Sequence, residues 1–302
     1  MGAEMLSRER RANRSTTRTP PGFLLSEYPI HYAAARASFT SELKGACQDL
    51  VASFKASRIW FALGVNDIVA RYRGSLIGPF WITLTTAIFV LGIGFLYAGL
   101  MKVSIDRYLP WMTTGLVVWG LISQTVLEGG DALIAAGNVL RQTSIPIPLF
   151  VWRVCWRNLL TFAHQAPVLI LVALKFGYLL KMNLPLALIG LALVELNIAW
   201  VALFVSVACA RFRDLQQVLA SVTQLLFFLS PVLWIPSPMR GMGGDMMLLN
   251  PVVHLLNVVR LPLMGQPVPA LSFAYLVVTA LVGWAFIILF FSRVRRRVVH
   301  YV

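Results

Sequence analysis

The sequence contains few charged residues and very few cysteines. Of its 302 residues, only 13% are charged and three are cysteines. A disordered chain needs far more charge and a small disulfide scaffold needs far more cysteine, so both classes are excluded. A water-soluble enzyme is excluded too, because 58% of the residues are hydrophobic and the mean hydropathy is +0.75. The composition therefore indicates an integral membrane protein.

Catalytic and metal-binding patterns are also missing. None of the five lysines follows a glycine, so the sequence has no phosphate-binding loop ending in Gly-Lys-Ser/Thr. The four histidines form no HExxH motif, and no GxSxG pattern is present. Cys47, Cys155 and Cys209 are expected to be free thiols. We therefore expect no catalytic residue, no metal site and no cofactor bound by this chain.

Long apolar segments dominate the sequence. A helix needs about 20 mostly apolar residues to cross hydrocarbon roughly 30 Å thick. Alternating strand patterns are absent, and six segments are long enough for a helical crossing. We therefore predict an all-α integral membrane protein with six transmembrane helices. The predicted spans are Phe80 to Leu100, Tyr108 to Leu127, Asn158 to Leu180, Leu184 to Ala210, Leu215 to Ile235 and Leu271 to Ser292.

The distribution of basic residues predicts the orientation. Cytoplasmic segments of membrane proteins are enriched in Lys and Arg. Most of the 26 Lys and Arg residues lie before the first predicted span or in segments that six crossings place on that same side. We therefore expect both termini to be cytoplasmic. The net charge of +14 is attributed to basic residues on this side, where they would contact anionic lipid. No nucleic acid is therefore expected as a partner.

The sequence is divided into three regions by composition. Residues 1–40 are rich in Arg, Ser, Thr and Pro and are predicted to be a flexible cytoplasmic tail. Residues 41–78 are predicted to be an amphipathic interface helix region, with a helix over Ser41 to Ile68 that lies along the membrane surface. A helix packed against other protein is an equally good interpretation of that pattern. Residues 79–302 are the predicted six-helix transmembrane domain.

Ionisable residues inside the predicted spans are few. Ion-coupled carriers place several such groups in their spans, although each is costly to bury in hydrocarbon. Here there is little beyond His164, Lys175 and Glu195. Glu195 and Asn197 form either an ion-coupling site or a hydrogen bond to a neighbouring helix, and the structural interpretation is favoured. The spans show no energy source of their own, so we expect a separate subunit to supply it.

Four motifs in order along the chain point to one family. Residues 67–81 read DIVARYRGSLIGPFW, and RFRDLQQ, FFLSPVLW and NPVVHLLNVVR follow at 211–217, 227–234 and 250–260. Together they resemble the permease subunits of bacterial type-2 ABC exporters for polysaccharides, especially O-antigen permeases and more distantly capsule and teichoic acid permeases. The resemblance covers about residues 55 to 297.

The resemblance implies a transport function for an assembly of subunits. It implies a channel-forming membrane subunit of an ATP-driven exporter that moves lipid-linked polysaccharide from cytoplasm to periplasm in lipopolysaccharide biosynthesis. The implied partners are a second copy of the chain, two copies of an ATPase subunit that bind ATP and Mg, the lipid-linked polysaccharide and membrane lipids. The implied location is the bacterial inner membrane. A homodimer also follows from size, since six helices would hardly enclose a path for a polymer.

The segment Glu128 to Gln142 is predicted to be a short cytoplasmic helix. Asp131 is a candidate N-cap, and Ile145-Pro146 is a stop signal. By resemblance this is the coupling helix that docks on the ATPase, and a connector packed on its own bundle is the alternative. The implied coupling residues are Asp131, Leu133, Ile134, Leu140 and Arg141.

Three further sets of residues are candidates for contact with substrate or for gating. Arg71 and Arg73 precede Gly78-Pro79 and either anchor the chain among headgroups or bind the pyrophosphate of a lipid-linked sugar. The segment Pro236 to Ala270 is predicted to form short re-entrant helices between the fifth and sixth spans, and by resemblance it closes a periplasmic gate. The gate candidates are Asn250, His254 and Arg260, and the candidate channel aromatics are Trp81, Phe89, Phe95, Tyr97, Phe227, Phe228 and Trp234.

Other functions remain open on the sequence. A type-2 ABC exporter for drugs or lipids would share the architecture. An ion-coupled carrier and a membrane glycosyltransferase belong to different classes, and both would act without an ATPase.

Overall fold

A computed structural model describes residues 38–236 and 248–302. The predicted cytoplasmic tail lies outside the described residues except for its last three positions. Within the described residues all regular structure is helical, and no strand is present. The helices are α1 (Phe39–Lys55), α2 (Ser57–Arg71), α3 (Phe80–Met101), α4 (Ile105–Ala135), α5 (Gly137–Gln142), α6 (Pro148–Lys175), α7 (Leu184–Arg211), α8 (Leu215–Leu229), α9 (Pro251–Leu263) and α10 (Ala270–Tyr301), with a short 3-10 helix at Leu179–Lys181.

Four of the described helices are long and apolar enough to cross a bilayer. These are α3, α6, α7 and α10. The predicted second span lies within α4, which runs for 31 residues. The predicted fifth span is shorter than expected, because α8 has 15 residues and ends at Leu229. Ser230 precedes Pro231 and is held in the extended region, which stops the helix. The number of six crossings stays a prediction.

The segment predicted as one surface helix consists of two helices. The break falls at Ala56, which separates α1 from α2. α2 packs along α6, and α1 packs against both α6 and α10. Contact with the chain's own bundle is therefore one determinant of their position. Val51 and Phe54 remain exposed on α1, so contact with the membrane surface is still expected there.

α4 lies at the centre of the bundle. It packs against α3, α6, α7, α8 and α9, and most of its residues are buried. Small residues allow close approach: a Cβ atom at Gly129 would lie 2.9 Å from the Cβ atom of Ala202 on α7. Around Trp119 and Leu256, side chains from α4, α7, α9 and α10 form the largest apolar cluster of the described residues.

α3 and α8 are held at the edge of the bundle by narrow contacts. The buried residues of α3 are Ile82, Val90, Gly94 and Ala98, which recur at helical spacing along one stripe. Thr223 is the buried residue of α8. Each helix therefore leaves a broad apolar surface uncovered by the described part of this chain.

A buried ion pair fixes α1 to the last helix. Asp49 Oδ2 lies 3.1 Å from Arg295 Nη1, and the two side chains are 8% and 11% exposed. Gly45 makes room for the guanidinium, since a Cβ atom there would overlap Arg295. Burial raises the pKa of Asp49 to about 6, although the positive charge of Arg295 opposes the shift. The pair therefore joins two segments far apart in sequence.

We expect Arg295→Met to destabilise the protein at about pH 8 and to do so much less at about pH 5. The variant leaves the Asp49 carboxylate buried without a partner, which costs about 3–5 kcal/mol. Loss of the guanidinium raises the pKa of Asp49 above its present value of about 6. A carboxyl group whose pKa is raised in the folded state stabilises folding at low pH, and this stabilisation is lost as the pH rises through the folded-state pKa. Thermal unfolding of the solubilised chain at both pH values measures the difference.

Arg297→Met is the matched control, because Arg297 is exposed two residues further along the same helix. It should change stability little at either pH. An equal loss of stability at both pH values for Arg295→Met would contradict the role given to Asp49.

Candidate functional site

A network of ion pairs joins α2, α4 and α6. Asp67 of α2 accepts hydrogen bonds from two arginines of α6: from Arg153 Nε at 2.7 Å and from Arg157 Nη1 at 2.8 Å. Arg153 Nη2 also donates to Asp67, so this pair is bidentate. Such fork-to-carboxylate pairs are among the stronger hydrogen bonds in proteins. The network thus attaches α2 firmly to α6.

Arg157 extends the network to α4. Its Nη2 atom donates to Glu128 Oε2 at 2.8 Å, and Asn158 Nδ2 donates to the same oxygen at 2.9 Å. Arg71, at the end of α2, reaches the other oxygen of Glu128 at 3.5 Å. A single guanidinium, that of Arg157, therefore bridges two carboxylates on two different helices.

The local sequence explains why these groups meet. Arg153 and Arg157 are four residues apart and share one face of α6. Gly64 and Asp67 are three residues apart on the facing side of α2. A Cβ atom at Gly64 would lie 2.7 Å from Trp156 Cδ1, so the glycine lets the two helices approach closely.

The network is shielded from water on most sides. The side chains of Asp67 and Arg157 are each 17% exposed, and that of Glu128 is 23% exposed. Burial alone would raise the pKa of Asp67, but its hydrogen bonds and charge interactions with Arg153 and Arg157 outweigh burial and lower the pKa below 3.8. The stabilisation from ionised Asp67 is therefore present above that pH and is lost as the pH falls through the folded-state pKa.

A polar cleft opens beside the network between α3, α4 and α6. Its volume is about 280 Å³. We call it the α3/α4/α6 cleft. Unlike the apolar helix surfaces around it, the cleft carries hydroxyl, amide and charged groups. Its lining consists of Arg71, Tyr72, Ile82, Thr85, Thr86, Gly120, Leu121, Gln124, Glu128, Asn158, Thr161, Phe162 and Gln165.

The structure separates the two predicted phosphate candidates. Arg71 is half-exposed, contacts Glu128 and lines the cleft. Arg73 is exposed outside the network. Sequence reasoning did not single out Glu128, Arg153 or Arg157. The spacing of the two arginines is a signal in the sequence, but their carboxylate partners become apparent only when three helices are brought together.

The predicted N-cap role of Asp131 is wrong. Asp131 lies inside α4, which continues to Ala135 before the chain breaks at Ala136. Its carboxylate instead accepts a hydrogen bond from Gln216 at the start of α8. The predicted short helix over Glu128 to Gln142 is thus the end of α4 followed by α5.

The other coupling candidates divide into buried and exposed side chains. Leu133 is fully buried and Leu140 is 5% exposed, and both belong to one apolar cluster that includes residues of α7 and α10. Ile134 packs against this cluster from a half-buried position. Arg141 is exposed and donates from Nε to the Val302 main-chain oxygen at 3.0 Å. Buried Leu140 therefore attaches α5 to the bundle beside Leu133 of α4, while the other side of α5 is exposed.

The candidate channel aromatics also divide into two groups. Trp81, Phe89 and Phe95 of α3 and Phe228 of α8 are exposed. The remaining three are partly buried within the bundle: Tyr97 packs beside the buried Tyr108, Phe227 lies 5.8 Å from Trp119 between ring centroids, and the main-chain oxygen of Trp234 accepts from Trp111 at 3.1 Å.

Asn250 and His254 hold α9 in place. Asn250 caps the helix by accepting from the Val252 main-chain N–H at 2.9 Å, and it donates to Ser230 Oγ at 3.0 Å. His254 is buried with its Nδ1 atom 3.0 Å from Ser272 Oγ, at the start of α10. Residues 237–247 of the predicted re-entrant segment lie outside the described residues.

Arg260 is buried completely. Its Nη1 atom donates to the Pro231 main-chain oxygen at 2.7 Å, and its Cζ atom lies 4.2 Å from the centroid of the Trp111 ring. Gly115 faces the guanidinium, and a Cβ atom there would overlap it. Arg260 therefore connects α9 to α4 and to the chain that follows α8.

Comparisons with known proteins agree with one another. A family model described as "ABC-2 type transporter" matches residues 59–264, a range that contains the network and the cleft. The chain is 26% identical over 195 residues to the O-antigen export system permease protein RfbA of Myxococcus xanthus. The aligned residues make up 64% of this chain and 75% of that relative. The chain is also 22% identical over 173 residues to the protein of the same name from Klebsiella pneumoniae. Here the aligned residues make up 56% of this chain and 66% of that relative.

We expect Arg157→Met to lower the stability of the protein by about 3 kcal/mol, because it leaves two shielded carboxylates without their shared partner. The stability of Arg157→Lys should lie between that of Arg157→Met and that of the wild type, since a lysine ammonium does not bridge two carboxylates as the planar arginine guanidinium does. Thermal unfolding in a mild detergent measures the order of the three proteins.

Arg73→Met is the matched control and should leave stability nearly unchanged, because Arg73 is exposed. Adding Asp67→Asn and Glu128→Gln to Arg157→Met should restore part of the loss. If Arg157→Met were as stable as Arg73→Met, the network would have no structural importance.

Proposed function

Because the chain belongs to the ABC-2 type transporter family, we propose that it is the channel-forming membrane subunit of an ATP-driven exporter that moves lipid-linked polysaccharide of the O-antigen type from cytoplasm to periplasm. The observation that carries the substrate class is the similarity to two permeases whose names specify O-antigen export. The four sequence motifs support the same assignment. We place the chain in the bacterial inner membrane with both termini cytoplasmic.

An energy source outside this chain is part of the proposal. Family membership implies an ATPase partner that binds ATP and Mg, and the permease subunit is normally not catalytic itself. The Asn197 amide is not free to share an ion-coupling site with Glu195, whose Oε1 atom is buried and has no hydrogen-bond partner among the described residues. Asn197 donates to the Leu276 main-chain oxygen at 3.0 Å and accepts from Thr279 Oγ1 at 2.9 Å, so its side chain joins α7 to α10.

Two copies of the chain would enclose the path for the polymer. The exposed apolar surfaces of α3 and α8 support this arrangement, because they offer a broad area for a second copy or for lipid. The exposed rings of Trp81, Phe89, Phe95 and Phe228 lie on these same helices. Many weak contacts with sugar rings would let a long glycan move without being trapped.

α5 is the proposed contact with the ATPase. Asn138, Val139, Arg141 and Gln142 are exposed on it. Movement of this surface would pass to the bundle through Leu133 and Leu140, since both are packed into the core. This modifies the predicted role of the two leucines: they transmit force within the chain, and the exposed side of α5, which includes Val139, touches the partner.

α9 is the proposed periplasmic gate. Its contacts through Asn250, His254 and Arg260 would keep the outer end closed until the helices tilt. All three side chains bind groups on neighbouring segments, so each contact would have to break or move when the path opens.

We expect an ATPase subunit to copurify with the tagged chain from its native host in equal stoichiometry. The physical reason is that the spans carry no other means of coupling transport to an energy source. Gentle solubilisation followed by quantitative mass spectrometry of the purified complex is the measurement. Vesicles that contain this chain alone and still move glycolipid in response to an ion gradient would refute the proposal.

We expect Val139→Asp to reduce copurification of the ATPase at least tenfold without changing the melting temperature. Val139 is 42% exposed on α5, and burying a carboxylate there against the partner without a compensating charge would cost several kcal/mol of binding. Val65→Asp is the matched control: Val65 is 43% exposed on α2, so this variant should retain the ATPase. Retention of the ATPase by both variants would exclude α5 as the contact.

A further inference from the structure

The α3/α4/α6 cleft is polar although the helices around it are largely apolar. On α4, Gln124 precedes Glu128 by one helical turn, and on α6, Gln165 follows Arg157 by two turns. Both glutamines therefore lie on the same side of the ion network. Both glutamines line the cleft. The ion network closes one end of the cleft, and the two amides lie further along toward the middle of the predicted spans.

The two glutamine amides have unused hydrogen-bonding capacity. Gln124 is exposed and Gln165 is half-buried. Among residues 38–236 and 248–302 neither side chain has a hydrogen-bond partner, whereas the nearby Asn158 donates to Glu128 at 2.9 Å. A polar group inside a membrane is costly unless water or a ligand satisfies it. Both amides are accessible from the cleft and unpaired within the described residues, so they are free to bind a polar occupant.

The charges of the cleft favour a neutral occupant. The charged residues of its lining are Arg71 and Glu128, which pair with each other at 3.5 Å. Arg157 behind them is also engaged with Glu128. A pyrophosphate needs positive charge in excess, which the lining does not offer. Hydroxyl groups, by contrast, match amide, threonine and carboxylate partners.

The size and the rings of the cleft suit one sugar unit. Its volume of about 280 Å³ is near the lower limit of roughly 300 Å³ for ligand pockets, so a polymer does not fit. Tyr72 and Phe162 are half-buried aromatic residues of the lining, next to the polar groups. A sugar has hydroxyl groups around its edge and C–H groups on its faces, and the lining offers partners for both.

We propose that the α3/α4/α6 cleft binds one neutral sugar unit of the glycolipid headgroup, with Gln124 and Gln165 as its hydrogen-bonding partners. This inference rests on the proposed function and names a recognition site within each single chain. The pyrophosphate stays outside the cleft, at the headgroup level. The site therefore distinguishes a glycosylated carrier lipid from the bare carrier before the polymer enters the path between two copies.

Binding to the full chain in lipid nanodiscs tests the site without any ATPase. The probes are a polyprenyl pyrophosphate that carries one neutral N-acetylhexosamine and the same polyprenyl pyrophosphate without sugar. We expect the wild type to bind the glycosylated probe about tenfold more tightly, as two or three added hydrogen bonds would give. In Gln124→Ala/Gln165→Ala the two probes should bind equally, while affinity for the bare probe stays unchanged.

Two further variants separate loss of the site from loss of the fold. Gln266→Ala is the matched control, because Gln266 is exposed beyond α9 and lies outside the cleft. Gly120→Leu fills the cleft and leaves both amides in place. A Cβ atom at Gly120 meets only Gln165 Oε1, at 3.9 Å, so the substitution fits the backbone. It should also abolish the preference for the sugar.

The possible results distinguish failure of the inference from failure of the proposed function. If the wild type binds both probes equally, or if the double variant keeps the tenfold preference, the cleft is a water-filled space and the inference is wrong. In either case the proposed function would stand if an ATPase copurifies. Wild-type protein that binds neither probe would refute the glycolipid substrate itself and the inference with it.

Discussion

The bridge that Arg157 forms between Asp67 and Glu128 is the interaction on which the rest of the site depends. It joins α2, outside the predicted spans, to α4 at the centre of the bundle, with α6 supplying the guanidinium. Charges this well shielded are tolerated only when they are paired, so the three helices must keep one relative position. That position sets one wall of the polar cleft and the point at which Arg71 meets Glu128.

The helices divide into a tightly packed group and an exposed pair. α4 packs against α3, α6, α7, α8 and α9, and glycines at close approaches bring other helices into contact with it. α3 and α8 have little buried surface and are the helices on which a second copy of the chain is proposed to pack. α9 belongs to the packed group through the largest apolar cluster, and α5 is connected to that group by buried Leu140. This division fits the proposal that a rigid unit carries movable contacts toward the proposed ATPase at one end and the proposed gate at the other.

Much of the fold was predictable, because a bilayer restricts what an apolar segment can do. The helix bounds of Phe80 to Leu100 and Leu184 to Ala210 were predicted nearly to the residue, since predominantly apolar runs of this length form helices that satisfy their own backbone. The fifth span was predicted too long because hydropathy continues past Pro231, whereas helical geometry does not. Asp131 was misassigned for a similar reason: capping residues are common inside helices, and only the continuous backbone of α4 shows that no helix begins there.

The sequence by itself determined the all-helical membrane character and, through its four motifs, the ABC-2 family. Both are local properties: hydrophobic length and short runs of residues can be read without knowing what lies nearby. Only the tertiary structure showed that Asp67, Glu128 and Arg157 form one network, that Leu133 and Leu140 are buried, and that two glutamines from different helices share a cleft. Pairing of charges and burial depend on distances between helices, and those distances are set by packing of the whole bundle.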